Sequence, residues 1–109
     1  MADKKTELNE LALYGAKPQR NSGRGRHDKG DGILDGLFMV DVKEYGTSYS
    51  LSLDSWAKVC TDAYRDGGYE PLIGVTLGTG NKKVRLAVIS KDMFDAMKAA
   101  YLREQGNVV

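Results

Sequence analysis

Apolar side chains recur every three or four residues in three stretches of the chain, which is the period of an amphipathic helix. The first stretch runs from Thr6 to Tyr14 and the second from Leu53 to Tyr64. The third follows Ser90, a residue type favoured at helix N-caps. Glycines follow the first two stretches closely, as is typical of helix C-termini. The pattern therefore predicts three helices.

Five short runs between these helices have the composition of β-strands. They are Lys17 to Arg20, Asp31 to Leu34, Leu37 to Tyr45, Pro71 to Leu77 and Val84 to Ile89. The pair Asp35-Gly36 predicts a type I′ hairpin turn between the second and third runs, and a glycine-rich link predicts a second hairpin between the last two. The order αβββαββα predicts one α/β domain over residues 1–109, with a mixed five-stranded β-sheet flanked by helices.

Composition narrows the kinds of site that such a domain can carry. The 109 residues are 41% hydrophobic with a formal net charge of +1, which is typical of a soluble globular domain. No apolar run approaches the roughly 18 residues of a membrane span, and the N-terminus lacks an apolar signal stretch, so we expect a cytoplasmic protein without membrane contact. Cys60 and His27 are single, which excludes an intramolecular disulfide and a Cys/His zinc site. Any metal must be bound by oxygen.

The candidate chemistry lies in the first predicted hairpin. Asp41 and Lys43 are two residues apart on one strand, so their side chains point to one face, while Val40 and Val42 point to the other. Asp31 begins the neighbouring strand, and hairpin pairing can bring it opposite Asp41. The alternative is that the register keeps the two acids apart and that the triplet lies on a solvated face.

Two facing carboxylates destabilise a sheet unless they bind a cation, and oxygen ligands favour Mg²⁺. A metal there would polarise a phosphoryl oxygen and lower the pKa of a bound water. Lys43 would stabilise the developing charge, or orient or deprotonate the water, and the residues leave this choice open. These groups suit phosphodiester hydrolysis.

Positive charge is concentrated in a glycine-containing segment before this hairpin. Five of the basic residues lie between Lys17 and Lys29 against the single acid Asp28. Glycines predict a flexible loop at about 21–29, where the backbone can approach DNA while arginine and lysine neutralise phosphates. A solvated loop is the alternative. Ser48 and Ser50 either donate hydrogen bonds to phosphate or merely terminate a strand.

Taken in order, these motifs resemble those of the PD-(D/E)XK nuclease superfamily, and within it the small Holliday junction resolvase-like proteins of archaea and phages. The resemblance is carried by Glu7, Asn21-Ser22-Gly23, Lys29-Gly30-Asp31 and Val40-Asp41-Val42-Lys43, and it spans about Glu7 to Ala63. It implies a restriction-endonuclease-like core. The chain departs from the family at Gly30, where the family name has proline, and at Asp41, where glutamate is common.

The resemblance also implies a set of site residues. The catalytic group would be Glu7, Asp31, Asp41 and Lys43, with Glu10 as the alternative first-helix acid. Mg²⁺, for which Mn²⁺ can substitute, would bind Asp31, Asp41 and the backbone carbonyl of Val42. DNA contacts would come from Arg20, Ser22, Arg24, Arg26, Lys29, Ser48 and Ser50.

The resulting hypothesis is a metal-dependent endodeoxyribonuclease that resolves branched DNA, with the four-way junction as the substrate that the resemblance implies. Two symmetric cuts need two active sites and one small domain supplies one, so we expect a two-fold homodimer. The apolar last helix or an exposed strand would form its interface. The alternatives are a general or nicking nuclease of the same superfamily, a non-catalytic nucleic-acid-binding module, and an adaptor protein unrelated to DNA.

Overall fold

The computed structural model describes residues 11–18, 31–65 and 67–106. Their framework is a mixed β-sheet whose strands lie side by side in chain order. Four longer strands, β2 (Asp31–Leu34), β3 (Phe38–Tyr45), β4 (Glu70–Leu77) and β5 (Val84–Val88), are joined at one edge by the two-residue β1 (Lys17–Pro18). Strands β3 and β4 are parallel, and the other neighbours are antiparallel.

Helical segments accompany the sheet. Residues 11–13 are the described end of the first helix, α1 comprises Leu53–Arg65 and α2 comprises Lys91–Glu104. Helix α1 connects β3 to β4, as a parallel strand pair requires. The structure therefore confirms an α/β fold with a mixed sheet. Among the helices in the described ranges, none combines the length and the apolar character needed to cross a membrane.

A tight turn closes the β2–β3 hairpin. Its two central residues, Asp35 and Gly36, have φ values of 53° and 68°. Leu37 N–H donates a hydrogen bond to the carbonyl of Leu34 at 2.9 Å. Positive φ at both central residues is what a type I′ turn demands, and an Asp-Gly pair meets that demand at little cost. The first paired residues are Leu34 and Phe38, so Leu37 is one residue more than a two-residue turn needs, and the turn together with this extra residue sets the register of β2 and β3.

Strand alternation divides the core between the two faces of the sheet. On one face, here called the Val42 face, Val40, Val42 and Leu72 pack with Leu11 and Ala16. On the other, the Asp41 face, Ile73 and Val75 pack under Val59 of α1. Each face thus has its own apolar cluster, and α1 covers the face that carries Asp41.

The described end of the first helix is fixed to the Val42 face by Tyr14. The Tyr14 ring lies so close to Gly74 that a Cβ added there would be 2.8 Å from ring atoms. The Tyr14 hydroxyl is 3.0 Å from Thr76 Oγ1, and Thr76 is fully buried. Only glycine fits beneath this ring, so the sequence of β4 and the position of the first helix depend on one another.

Both later helices begin with serine caps. Ser52 Oγ accepts the Ser55 N–H at 3.1 Å, and Ser55 Oγ accepts the Ser52 N–H at the same distance, an arrangement equivalent to a capping box. Ser90 Oγ accepts the Met93 N–H at 3.0 Å, as the sequence predicts for the last helix. These caps satisfy backbone donors that would otherwise have no partner within the helix.

The apolar stripes of the helices are less buried than their periodicity suggests. In α1, Leu53 is 81% exposed and Tyr64 is also exposed, so the packed stripe is narrower than the sequence pattern. Helix α2 has no buried residue at all. Its Met93 packs against the core of the Val42 face, whereas Phe94 and Met97 remain about half exposed. Periodicity identified these helices but not the extent of their burial.

Candidate functional site

Backbone register places two acidic residues opposite one another at one end of the hairpin. Asp31 pairs with Asp41, the arrangement that the hairpin prediction requires. Directly opposed residues of an antiparallel pair have Cβ atoms about 4.5–5.5 Å apart. The alternative in which register separates these two residues is therefore excluded at the level of the backbone.

Lys43 joins Asp41 on the same face of β3. The Lys43 Nζ and Asp41 Oδ2 atoms are 3.4 Å apart, and the two side chains are 33% and 22% exposed. Val40 and Val42, which alternate with them, are buried on the opposite face. Strand alternation thus places a carboxylate and an ammonium together at the margin of an apolar cluster, where both groups are partly withdrawn from water.

Burial and pairing act in opposite directions on this ion pair. Burial raises the pKa of the Asp41 carboxyl, and although the nearby charges of Lys43 and Lys58 lower it, the pKa remains above its ordinary value. Burial lowers the pKa of Lys43, but the charge and hydrogen bond of Asp41 outweigh that effect, and the pKa is raised. The carboxylate is the less exposed partner, so desolvation prevails there.

Helix α1 presents further charges to this pair. Both Lys58 and Asp62 affect the pKa of the Asp41 carboxyl, Lys58 by lowering it and Asp62 by raising it. Asp62 also pairs with two cations of its own helix, at 3.3 Å from Lys58 Nζ and 3.1 Å from Arg65 Nη2. No sequence motif singles out these residues. Their helical spacing indicates ion pairs, but only tertiary packing brings that flank of α1 to the site.

Tyrosines form another side of the site. The rings of Tyr45 and Tyr49 have centroids 5.2 Å apart, and Tyr49 packs against the apolar cluster under α1. Both tyrosines contribute to raising the pKa of Lys43. The proposed phosphate contacts Ser48 and Ser50 lie on either side of Tyr49, and both are exposed. The link between β3 and α1 therefore borders the site and leaves these serines open to solvent.

Several residues implied by the family resemblance lie outside the described part of the chain. These are Glu7, Glu10, Arg20, Ser22, Arg24, Arg26 and Lys29. The described end of the first helix packs on the Val42 face, opposite to the Asp41 carboxyl. Val42 itself directs its side chain into the core of that face, so only its backbone could contribute to a site beside Asp41.

The donor set of the described residues suits a weakly coordinated hard cation more than a closed metal centre. Within residues 11–18, 31–65 and 67–106, no three histidine, cysteine, aspartate or glutamate side chains cluster as a metal site. Mg²⁺ commonly binds one or two carboxylates and keeps several waters that substrate phosphates replace. Asp41 is one such carboxylate, and the backbone of Asp31 is its register partner.

A second charged pair lies on the opposite side of the sheet. Lys83 Nζ is 2.6 Å from Glu44 Oε2, and both side chains are mostly buried. The other Glu44 oxygen, Oε1, is buried and accepts no hydrogen bond from the residues that the structure describes. Because Glu44 follows Lys43 directly on β3, the two charged groups of this strand segment point to opposite faces.

The site is therefore a carboxylate and lysine on β3, an acidic register partner on β2, and a charged flank of α1. Comparison with protein-family models, with curated proteins and with solved structures finds no match for this chain.

Proposed function

We propose that this protein is a Mg²⁺-dependent nuclease that hydrolyses phosphodiester bonds at Asp31, Asp41 and Lys43. The observation that carries the proposal is the direct register of Asp31 with Asp41, together with the Asp41–Lys43 ion pair on the same face. An isolated Asp-x-Lys triplet on a strand is common. An acidic residue paired directly with the aspartate of such a triplet is not expected in a sheet that binds no cation.

Electrostatics supplies the physical argument. Burial already disfavours the ionised form of Asp41, and the backbone register sets a second acidic residue, Asp31, opposite it on the neighbouring strand. A single lysine at 3.4 Å does not restore the ordinary pKa of this carboxyl. A divalent cation would stabilise both carboxylates in their ionised forms. Perturbed carboxylates of this kind are concentrated at functional sites.

Each residue then has a defined task in the hydrolysis. Asp31 and Asp41 would bind Mg²⁺ through their carboxylates, and the backbone carbonyl of Val42 would be a further ligand. When bound, the metal supplies Lewis-acid polarisation of the phosphoryl oxygen and a more acidic water. Lys43 keeps its proton at neutral pH because its pKa is raised, so it would stabilise the negative charge that develops on the phosphoryl oxygens.

In the metal-free protein, the raised pKa favours one of the roles left open for Lys43. A general base must lose its proton near the operating pH, and pairing with Asp41 opposes that loss. Electrostatic stabilisation and orientation of the attacking water require the charged form. We therefore assign Lys43 to charge stabilisation.

The finer identity rests on the sequence resemblance to PD-(D/E)XK nucleases. On this proposal the sheet is a restriction-endonuclease-like core with five strands in the order αβββαββα. The substrate is branched DNA, with the four-way junction preferred. The segment at about 21–29 and the exposed Ser48 and Ser50 contact the phosphate backbone. The resemblance also implies a first-helix acid, Glu7 or Glu10, but because residues 11–14 pack on the Val42 face, the proposal rests on Asp31, Asp41 and Lys43.

A substrate panel tests the proposal. The full chain is incubated with four-way junction, flap, linear duplex and single-stranded DNA, with Mg²⁺, with Mn²⁺ and with EDTA. We expect metal-dependent cleavage that is fastest on the junction. Asp41→Asn should lower the cleavage rate by at least about a hundredfold, since it removes a metal ligand. Asp95→Asn, which removes an exposed carboxylate of a Lys–Asp ion pair on α2, should cleave as the wild type does.

The panel separates the competing functions. Equal cutting of junction and linear duplex would replace the resolvase assignment by a general or nicking nuclease. DNA binding without cleavage in either metal, unchanged in Asp41→Asn, would leave a non-catalytic binding module. Absence of both binding and cleavage would overturn the nucleic-acid assignment altogether.

A further inference from the structure

We propose that α1 carries a second phosphate-binding element, in which Asp62 holds Lys58 and Arg65 beside the Asp41–Lys43 pair so that they contact phosphates adjoining the one cleaved. This inference rests on the proposed nuclease function and extends its site to a helix that the sequence motifs do not reach. The ligand class is the backbone of a nucleic-acid strand.

Packing brings this flank of the helix to the site. Val59 of α1 is buried against Ile73, and Ile73 is the register partner of Asp41. Asp62 lies three residues after Val59, which places it on the adjoining flank of the helix. The charges of both Lys58 and Asp62 act on the Asp41 carboxyl, so this flank is turned toward β3.

The Asp62 carboxylate organises the two cations. It accepts from Lys58 Nζ at 3.3 Å through Oδ2 and from Arg65 Nη2 at 3.1 Å through Oδ1. Asp62 is 27% exposed, whereas Lys58 is 78% and Arg65 53% exposed. The anchoring group is therefore half-buried while the cationic ends reach water. Such anchoring reduces the rotamer freedom that each long side chain would lose on binding a phosphate.

The separation of the two cations matches the phosphate spacing along one nucleic-acid strand. Lys58 and Arg65 are seven residues apart, about 10 Å along an α-helix that rises 1.5 Å per residue. In B-form duplex DNA, phosphates of one strand are spaced by roughly 3.4 Å along the helix axis, so the two cations span about three nucleotides. Lys43 provides a third cation on the neighbouring strand of the same face.

Charge balance indicates when this element attracts phosphate. Among the described side chains of these ion pairs, the three cations Lys43, Lys58 and Arg65 face the two acids Asp41 and Asp62. A bound divalent cation would add to their positive charge. Phosphodiester binding at this face should therefore strengthen when metal is present.

A purely structural role for the same ion pairs would be weak. Exposed pairs at (i, i+3) and (i, i+4) on a helix contribute only about 0.2–0.5 kcal/mol to stability. Substituting Lys58 should thus leave the fold intact and change DNA binding alone. The chain also supplies a matched control, because Lys91 on α2 forms the same (i, i+4) pair with Asp95 and is equally exposed at 78%.

The experiment compares Lys58→Ala, Lys58→Arg and Lys91→Ala in the full chain. Affinity for a four-way junction is measured in EDTA over a range of salt concentrations, and cleavage is measured with Mg²⁺. We expect Lys58→Ala to weaken binding on the order of threefold to tenfold and to reduce the slope of log affinity against log salt by about 1. Lys58→Arg should restore the slope, and Lys91→Ala should match the wild type.

A role for Asp62 as a positioning residue has its own readout. Asp62→Asn keeps both cations but removes the charge that holds them. Loss of a negative charge would by itself strengthen phosphate binding, so weaker binding with a salt slope near the wild-type value is the result expected of a positioning residue, and stronger binding would contradict that role. Loss of slope equal to that of Lys58→Ala would contradict the positioning role.

The outcomes distinguish this inference from the nuclease proposal. If the wild type cleaves DNA but Lys58→Ala and Lys91→Ala have the same affinity and slope, the α1 element is wrong and the nuclease stands. If Lys58→Ala alone lowers the slope but no substrate is cleaved, the phosphate-binding element stands without the nuclease. If the wild type binds no DNA, both proposals fail.

Discussion

Asp41 is a carboxyl whose folded environment raises its pKa although Lys43 lies 3.4 Å away. An acid with a raised folded pKa contributes stability that is complete below its unfolded pKa, near 4, and is lost as pH rises through the folded value. At neutral pH the ionised group thus costs the fold stability. A costly carboxylate kept beside a lysine, with a second acid as register partner, fits a site built to receive a cation.

Replacing Asp41 by asparagine should reveal that cost. In metal-free buffer at pH 7.5, Asp41→Asn should have a higher free energy of unfolding than the wild type, because it removes the charge that burial disfavours. The difference should shrink as pH is lowered toward 4. Urea denaturation at several pH values measures both effects. Added Mg²⁺ should stabilise only the wild type, and an asparagine variant less stable at every pH would contradict the assigned cause.

The Glu44–Lys83 pair allows a prediction on the other face. Lys83 Nζ and Glu44 Oε2 are 2.6 Å apart, and within the described part of the chain Glu44 Oε1 already lacks a hydrogen-bond partner. Lys83→Ala would leave the mostly buried Glu44 carboxylate without this ion pair and should destabilise the fold by about 1–3 kcal/mol. Double replacement by Glu44→Gln and Lys83→Ala should cost less than the sum of the two single changes. Strict additivity in chemical denaturation would show that the pair contributes no coupling.

At the scale of elements, the β2–β3 hairpin shows which structural features short-range sequence patterns can predict. Asp35 and Gly36 have the positive φ values that their residue types predict, and strand alternation places Asp41 and Lys43 on one face. Both features depend on neighbours only a few residues apart. Local rules therefore predict the turn and the shared face, but not the register. A two-residue loop alone would pair Asp31 with Val40. The strands instead pair Leu34 with Phe38, so Leu37 is an extra residue that brings Asp31 opposite Asp41.

Gly36→Ala tests the turn that contributes to this register. The φ of 68° is strained for alanine, although a Cβ there would meet no atom within 4 Å, so the cost is conformational and about 1–2 kcal/mol. Gly46→Ala is the control, because that glycine is equally open and has no positive φ. It should change stability by less than about 0.5 kcal/mol. Equal effects of the two changes in chemical denaturation would refute a strained turn.

The charged flank of α1 is an element that the sequence could not place. The ion pairs of Asp62 with Lys58 and Arg65 follow from helical spacing, but a helix can turn the same flank to solvent or to the sheet. The choice depends on Val59, whose contact with Ile73 joins parts of the chain 14 residues apart. Such tertiary contacts are not encoded in short-range periodicity.

At the scale of the whole molecule, α2 shows that apolar periodicity does not distinguish a core helix from an interface helix. Its spacing of Met93, Phe94, Met97 and Tyr101 fits either a core or an interface, and the structure leaves most of it uncovered. Helix α2 has no buried residue, whereas a helix that packs fully on its own domain buries one stripe. This uncovered stripe favours the helix as the interface of the proposed homodimer, although β5 also exposes Val84 and Leu86.

The area of the α2 surface is consistent with part of a dimer interface. Four exposed apolar side chains contribute to it, Phe94, Met97, Tyr101 and Leu102, at 49%, 45%, 63% and 39% exposure. Together they present roughly 400 Å² of surface, given that a large aromatic side chain buries about 150–250 Å². A stable interface needs about 800 Å² per partner, so this stripe would supply about half. Flanking polar residues of α2 would supply the rim.

Substituting Met97 by lysine should separate the dimer without unfolding the protomer. The change puts a charge at the centre of the stripe, where it would be desolvated in a dimer but remains in water in the monomer. Sedimentation velocity should then give about 12 kDa for Met97→Lys, against about twice the 12.0 kDa chain mass for the wild type. Circular dichroism should be unchanged.

Leu86→Lys places the same charge on β5, and if that variant alone becomes monomeric the interface lies on the strand. A monomeric wild type would remove the dimer proposal. If α2 is the interface, Met97→Lys should still nick junctions with Mg²⁺ but should no longer couple the two cuts, because one protomer carries only one Asp41–Lys43 site.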